Sequence, residues 1–352
     1  MNIHRSQNRS GGFAPRRTLQ RILYTLLIFS LVSTSCTVTS LGATSRTRTE
    51  SFKTVGYFPS WRPGAADSIQ YDVLTHVIYA FAIPTAKGGL LPLENPETAK
   101  KIIREAHGSG VKVLLAVGGW SYQDRPLESV FMSATSTGAR RKALAGSIMK
   151  MVKKYGFDGV DIDWEHPRRD GSSWKQYQSL MLLLGKKLHR QGKLLTSAVM
   201  SGVSPDGVVY YDAAAHTDKV LKAVDWIHVM AYDGGDGERH SPYHMATDSA
   251  DYWKNTRKLD KSKIVLGVPF YSRPGWAPYR ELLEHNKKAS SKNRITYNGM
   301  DVWYNGVSMI KKKTKYAAKN LGGIMIWEVT QDAAGPKSLQ TAIKKTLNAY
   351  RS

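Results

Sequence analysis

The sequence predicts an α/β protein, a (β/α)8 TIM barrel with at most a small insertion between its seventh and eighth strands. Three observations carry that expectation. Eight short apolar runs alternate with amphipathic stretches, as parallel βα units do. The 352 residues leave room for one barrel of roughly 250 residues or more. No internal repeat, low-complexity tract or second domain interrupts the alternation. A doubly wound open sheet is the alternative. It usually carries a Gly-rich fingerprint after its first strand, and here that strand ends in Tyr57-Phe58-Pro59-Ser60-Trp61. Composition is that of a globular chain, 41% hydrophobic and 22% charged, which excludes a collagen, a coiled coil and a disordered segment. A single cysteine, Cys36, excludes a disulfide framework.

The chain opens with an export pattern. Arg5, Arg9, Arg16, Arg17 and Arg21 precede an apolar run over 22–32, and no acid occurs before Glu50. A basic region followed by a short apolar one is a signal segment, too short for a comfortable membrane span. Arg16-Arg17-Thr18-Leu19 resembles a twin-arginine signal. Cleavage at Ala43 makes residues 1–43 the export signal, 44–52 a polar linker and 53–352 the barrel. An uncleaved N-terminal membrane anchor is the alternative. Cys36 invites a lipoprotein reading, against which Ser33 stands where such signals usually have Leu. The protein is therefore expected to be secreted or periplasmic.

After the linker, strands are expected over 54–58, 76–81, 112–117, 159–163, 194–198, 226–231, 264–268 and 323–327. Helical patterns cover 96–107, 140–155, 174–191 and 306–320, among others. The stretch 272–304 is long and irregular, either a small subdomain or an extended loop.

The most informative segment is Phe157-Asp158-Gly159-Val160-Asp161-Ile162-Asp163-Trp164-Glu165. Strand side chains alternate, so Asp161, Asp163 and Glu165 share one face, and Val160, Ile162 and Trp164 the other, towards helices. In a barrel the acids line the interior, about 6.6 Å apart along the strand. Three carboxylates there cannot all ionise cheaply, and they titrate as a coupled set. A carboxylic acid held protonated near neutral pH is what a general acid requires. Solvated acids at a strand end are the bland alternative. An oxygen-ligated metal is another, but three acids on one strand are too spread out to close around an ion, and no His cluster completes such a site. No metal and no cofactor are expected.

Here the sequence resembles glycoside hydrolase family 18, the chitinases and their relatives. Residues 158–165 match that family's DGxDxDxE signature. Gly56-Tyr57-Phe58, Tyr79-Ala80-Phe81-Ala82, Gly118-Gly119-Trp120, Met230-Ala231-Tyr232-Asp233, Val268-Pro269-Phe270-Tyr271 and Gly323-Ile324-Met325-Ile326-Trp327 resemble its other strand ends, in order, across roughly 53–345. The resemblance implies a retaining, substrate-assisted hydrolase of β-1,4-linked N-acetylglucosamine polymers. It makes Glu165 the general acid and base. Asp163 orients the substrate acetamido group, and Asp161 shares a proton with Asp163. Tyr232 donates to the acetamido oxygen. Met230 and Asp233 shape the same subsite, and Trp327 forms its floor. Tyr57, Phe81, Trp120 and Tyr271 are further substrate-binding candidates, while Trp61, Trp276, Trp303 and Tyr304 lie in expected loops as further platforms.

Three departures stand out. Ala116 occupies a position where the family often has a serine that supports the inner aspartate. His166 follows Glu165 where Tyr is common. The 272–304 stretch is shorter than a full α+β insertion, which implies a shallower cleft. Alternatives are a non-catalytic chitinase-like lectin, and a hydrolase of N-glycan cores or peptidoglycan.

Charge is strongly basic, 51 Lys+Arg against 28 Asp+Glu, or +23. Removing residues 1–43 takes away five Arg and no acid, leaving +18. Chitin is uncharged, so this balance serves no catalytic purpose. It fits electrostatic association with an anionic cell surface. Nucleic acid is not expected as a partner, because no binding motif accompanies the charge. Lys311, Lys312, Lys313, Lys344 and Lys345 read as solvated helix faces, and a monomer is expected.

Overall fold

The computed structural model describes residues 52–351. The expected export signal, Cys36 and all of the expected linker except Phe52 lie outside the described residues. Eight parallel strands close into a barrel: β1 (Lys53–Pro59), β2 (His76–Ala82), β3 (Lys112–Gly118), β4 (Gly159–Asp163), β5 (Leu194–Met200), β6 (Trp226–Met230), β7 (Ile264–Pro269) and β8 (Gly323–Trp327). They pair in chain order, and β1 pairs with both β2 and β8. Each expected strand is found, most of them one or two residues longer.

Between strands run helices whose apolar stripes pack on the barrel. Pro96–Gly108 buries Ala99, Ile102, Ile103 and Ala106. Gly138–Tyr155 starts at Thr137, whose hydroxyl accepts from the Arg140 amide, and stops at Gly156 in the left-handed region. The core is two layers. The outer one takes Val160, Ile162 and Trp164 from β4 and the residue after it, and Trp164 stacks on Phe131 at 4.7 Å. The inner one fills the barrel with Val55, Tyr57, Ile78, Ala80, Leu114, Ala116, Trp226, Val265 and Met325. Asp158, just before β4, closes the bottom: its carboxylate accepts from the Val113 amide of β3.

The stretch after β7 is a small α+β insertion. It holds a helix (Tyr279–His285) and a two-stranded hairpin (Arg294–Tyr297 with Met300–Trp303). Arg273 fastens the hairpin by exchanging backbone hydrogen bonds with Trp303. Two expectations need correcting here. Tyr304 is buried and its hydroxyl donates to the Ala289 carbonyl, so it offers no platform. Lys313 is not on a solvated face. It is fully buried, because its ammonium donates to the carbonyl and hydroxyl of Ser241, and burial lowers its pKa to about 7.

The top of the barrel depends on a glycine. Gly118 ends β3 at φ 120°, where a Cβ would overlap the Asp163 carbonyl oxygen. That same oxygen accepts from the Gly119 amide at 2.8 Å. A side chain at 118 would push the end of β4, and the acids on it, out of place. Gly118→Ala should therefore cost at least about 1–3 kcal/mol of stability, from backbone strain alone. Urea unfolding checks this, and a midpoint equal to wild type would refute the constraint.

Candidate active site

The acids of β4 meet three different environments. Asp161, at the strand centre, is fully buried among donors. Tyr57 Oη–H donates to its Oδ2 at 2.7 Å, and Thr196 Oγ1–H to its Oδ1 at 2.5 Å. His228 Nδ1 lies 3.1 Å from the same Oδ1. Asp163, two residues on, is 5% exposed, and its Oδ1 has no hydrogen-bond partner among the described residues. Burial, then the charges of Glu165 and Asp161, push its pKa well above the carboxylate range. No hydrogen bond joins Asp163 to Asp161 here, because Asp161 is turned to β1, β5 and β6 instead. Glu165 follows the strand at the barrel mouth. Burial, then the charge of Asp233, raises its pKa to about 7. His166 Nε2 is 3.8 Å from Glu165 Oε2, and burial lowers that imidazole to about 4, so it carries no charge to offset the glutamate near neutral pH.

The end of β6 completes the ring. Tyr232 is 9% exposed, and its hydroxyl makes no hydrogen bond among the described residues. Asp233 takes a left-handed backbone (φ 57°), rare for a residue with a Cβ. Its carboxylate accepts from Tyr271 Oη–H at 2.6 Å and from Arg273 at 3.5 Å. Met230 is half-buried against the inner core. Trp327, half-buried at the end of β8, meets Tyr57 edge-on at 5.5 Å and Phe81 at 5.9 Å. Trp61 stacks on Phe81 and is half exposed. Trp120 stands exposed on the rim, 6.5 Å from His166.

The barrel thus brings Asp161, Asp163, Glu165, Tyr232, Met230, Asp233, Tyr57, Phe81, Trp327 and Tyr271 to one end. Two of these candidates do other work than expected. Tyr57 and Tyr271 are buried and their hydroxyls are committed to Asp161 and Asp233, so each holds an acid. Thr196 and His228 were missed as site residues. Their only sequence signal is a polar side chain at an inward position of an apolar strand. Among the described residues, no group of three or more His, Cys, Asp or Glu is arranged to hold a metal ion.

A family model described as Glycosyl hydrolases family 18 matches residues 53–332. The chain belongs to glycosyl hydrolase family 18. It is 25% identical to chitinase A1 of Niallia circulans, over 85% of this chain and 59% of that protein. It is 26% identical to chitotriosidase-1 of Mus musculus, over 84% of this chain and 78% of that one. The chain thus spans about three-fifths of the length of chitinase A1. Among solved structures, the GH18 chitinase ChiB of Flavobacterium johnsoniae superposes with a TM-score of 0.72 at 26% identity, covering 86% of this chain and 95% of that one. A chitinase-like agglutinin of Robinia pseudoacacia, at 20% identity and TM-score 0.70, shares the fold.

Two predictions follow from this family 18 site's electrostatics. In the unfolded chain Asp163 ionises near 3.9. Its folded pKa is raised, so above about pH 4 the folded state forgoes an ionisation that the unfolded state gains, and the residue costs stability at neutral pH. Asp163→Asn should therefore raise the thermal midpoint at pH 7 by about 2 °C or more, a gain that fades at pH 3.5. Calorimetry at the two pH values checks it. The second concerns Asp233, whose charge holds Glu165 up. Asp233→Asn should move the Glu165 titration below 7, and ¹³C carboxyl shifts of labelled glutamate would show any failure to move.

Proposed function

We propose that the chain is an exported hydrolase of β-1,4-linked N-acetylglucosamine polymers, chitin or chito-oligosaccharides, acting with retention by the substrate-assisted route. One observation carries the reading. At the barrel mouth Glu165 keeps its proton up to about pH 7, beside an Asp163 with a vacant buried acceptor and a Tyr232 with an unspent hydroxyl. The names of its relatives support the substrate class.

In this reading the Glu165 proton goes to the glycosidic oxygen as the bond to the leaving sugar breaks. The N-acetyl carbonyl oxygen of the substrate attacks the anomeric carbon and forms an oxazolinium ion. Asp163 accepts the acetamido N–H and stabilises the positive charge, and Tyr232 donates to the acetamido oxygen. Glu165, now a carboxylate, takes a proton from water as that water opens the ring, which restores the acid. Trp327 supplies an apolar floor for the C–H face of the sugar, and Met230 and Asp233 shape the same subsite. The +18 barrel and linker associate with anionic cell surfaces in a salt-dependent way. Among the described residues no helix is long and apolar enough to cross a membrane.

The test is hydrolysis of a chromogenic N,N′-diacetylchitobioside by the chain starting at Thr44, from pH 4 to 9. Glu165→Gln should lower the rate by roughly 10²–10⁴-fold. Wild-type kcat should fall as pH rises through about 7, because the acid form is lost there. Equal product release by wild type and variant would sink the role of Glu165. Binding of chito-oligosaccharide without hydrolysis would identify a lectin. Neither hydrolysis nor binding would point to a different N-acetylated glycan.

A further inference from the structure

The support of Asp161 comes from an unexpected side. In the sheet register, Ala116 of β3 stands beside Asp161, and its methyl donates nothing. On the other side the register places Thr196 of β5 beside it, and that hydroxyl donates at 2.5 Å. One strand further, His228 reaches the same oxygen at 3.1 Å and also lies 3.1 Å from Tyr57 Oη. Asp161 and Trp226 between them fix which way the imidazole points its proton. The Trp226 indole N–H is a donor only, and it lies 2.7 Å from His228 Nε2. Nε2 must therefore be the bare, accepting nitrogen, and the proton of the neutral ring sits on Nδ1, facing Asp161. Tyr57, Thr196, Trp226 and His228 are all nearly inaccessible to bulk water.

We propose that Thr196 and His228, with Trp226 helping to fix the tautomer of His228, are positioning residues that hold the Asp161 carboxylate in one orientation behind Asp163. The proposal rests on the hydrolase reading above for its kinetic consequence, but the tautomer does not. Asp161 cannot swing towards Asp163 without giving up bonds to β1, β5 and β6 together. Its carboxyl group therefore keeps one orientation behind Asp163.

Two measurements test this in the chain starting at Thr44. The first is long-range ¹H–¹⁵N correlation of the imidazoles, with the His228 signals identified by their loss in His228→Asn. We expect a protonated Nδ1 and a bare Nε2, and a displaced Nε2 resonance in Trp226→Phe, where the indole donor is gone while Asp161 still accepts from Nδ1. A protonated Nε2 in the wild type would overturn the proposal, whatever the enzyme hydrolyses. The second is kinetic. His228→Leu should lower kcat roughly 10- to 100-fold, the loss expected of one hydrogen bond to a buried charge, with KM within about twofold. His228→Asn should recover most of that rate, because its amide donates to Asp161 while its oxygen accepts from Trp226. Thr196→Ser should likewise outperform Thr196→Val. An Asn variant that folds with the wild-type midpoint and is as slow as the Leu variant would overturn it. A wild type as inactive as Glu165→Gln would instead sink the hydrolase reading and leave the imidazole spectrum to decide the network.

Discussion

Everything at the top of this barrel depends on how three carboxyl groups share one face of one strand inside an apolar cylinder. Burial alone would push all of them towards the neutral form. The structure separates them through their partners. Asp161 has donors from three strands, Asp163 keeps a bare oxygen, and Glu165 faces the mouth with the charge of Asp233 nearby. One sequence pattern thus yields acids in three different environments, set by their neighbours rather than by residue type. The glycine at 118 is a local cost of that arrangement, since it lets the ends of β3 and β4 come close.

The inner layer of the core is shaped by the same requirement. Ala80 and Ala116 occupy inward positions where a barrel normally carries Val, Ile or Leu. Their small volume admits the rings of Tyr57, Trp226 and His228, which bring hydrogen-bonding groups into the interior. The apolar burial forgone there is recovered outside, where Trp164, Phe131, Tyr177 and the helix stripes form the larger layer. A change in the outer layer should therefore act on stability, and a change in the inner layer on the acids.

Much of the fold was legible because a Val- and Ile-rich run between helical stripes needs no tertiary information to be recognised. The acids on β4 were legible for a similar reason: alternation puts them on one face whatever surrounds them. Thr196 and His228 were not, because their meaning lies in register. Only when β5 and β6 are laid beside β4 does Thr196 stand opposite Asp161, and nothing within either strand announces that. Lys313 misled for the converse reason. A run of three lysines on an amphipathic helix reads as solvated, yet the third faces inward, where the Ser241 carbonyl and hydroxyl receive it. Tyr57 and Tyr271 were found, but the sequence could not tell a hydroxyl offered to a ligand from one already spent on an acid.

The charge of the chain and the charge of its site belong to separate problems. The excess of lysine and arginine is spread over the whole chain, and at physiological ionic strength exposed charges more than about 8 Å apart are largely screened from one another. The buried acids are screened far less, and their titration answers to the groups that touch them. Glu165 is governed by burial and by the charge of Asp233. Added salt should therefore act on the exposed lysines and arginines far more than on the ionisation of Glu165. A basic surface and an acidic interior can then be tuned independently, since a lysine lost from the face of an outer helix leaves the partners of Asp161 untouched, and a residue changed among those partners leaves the surface charge nearly as it was.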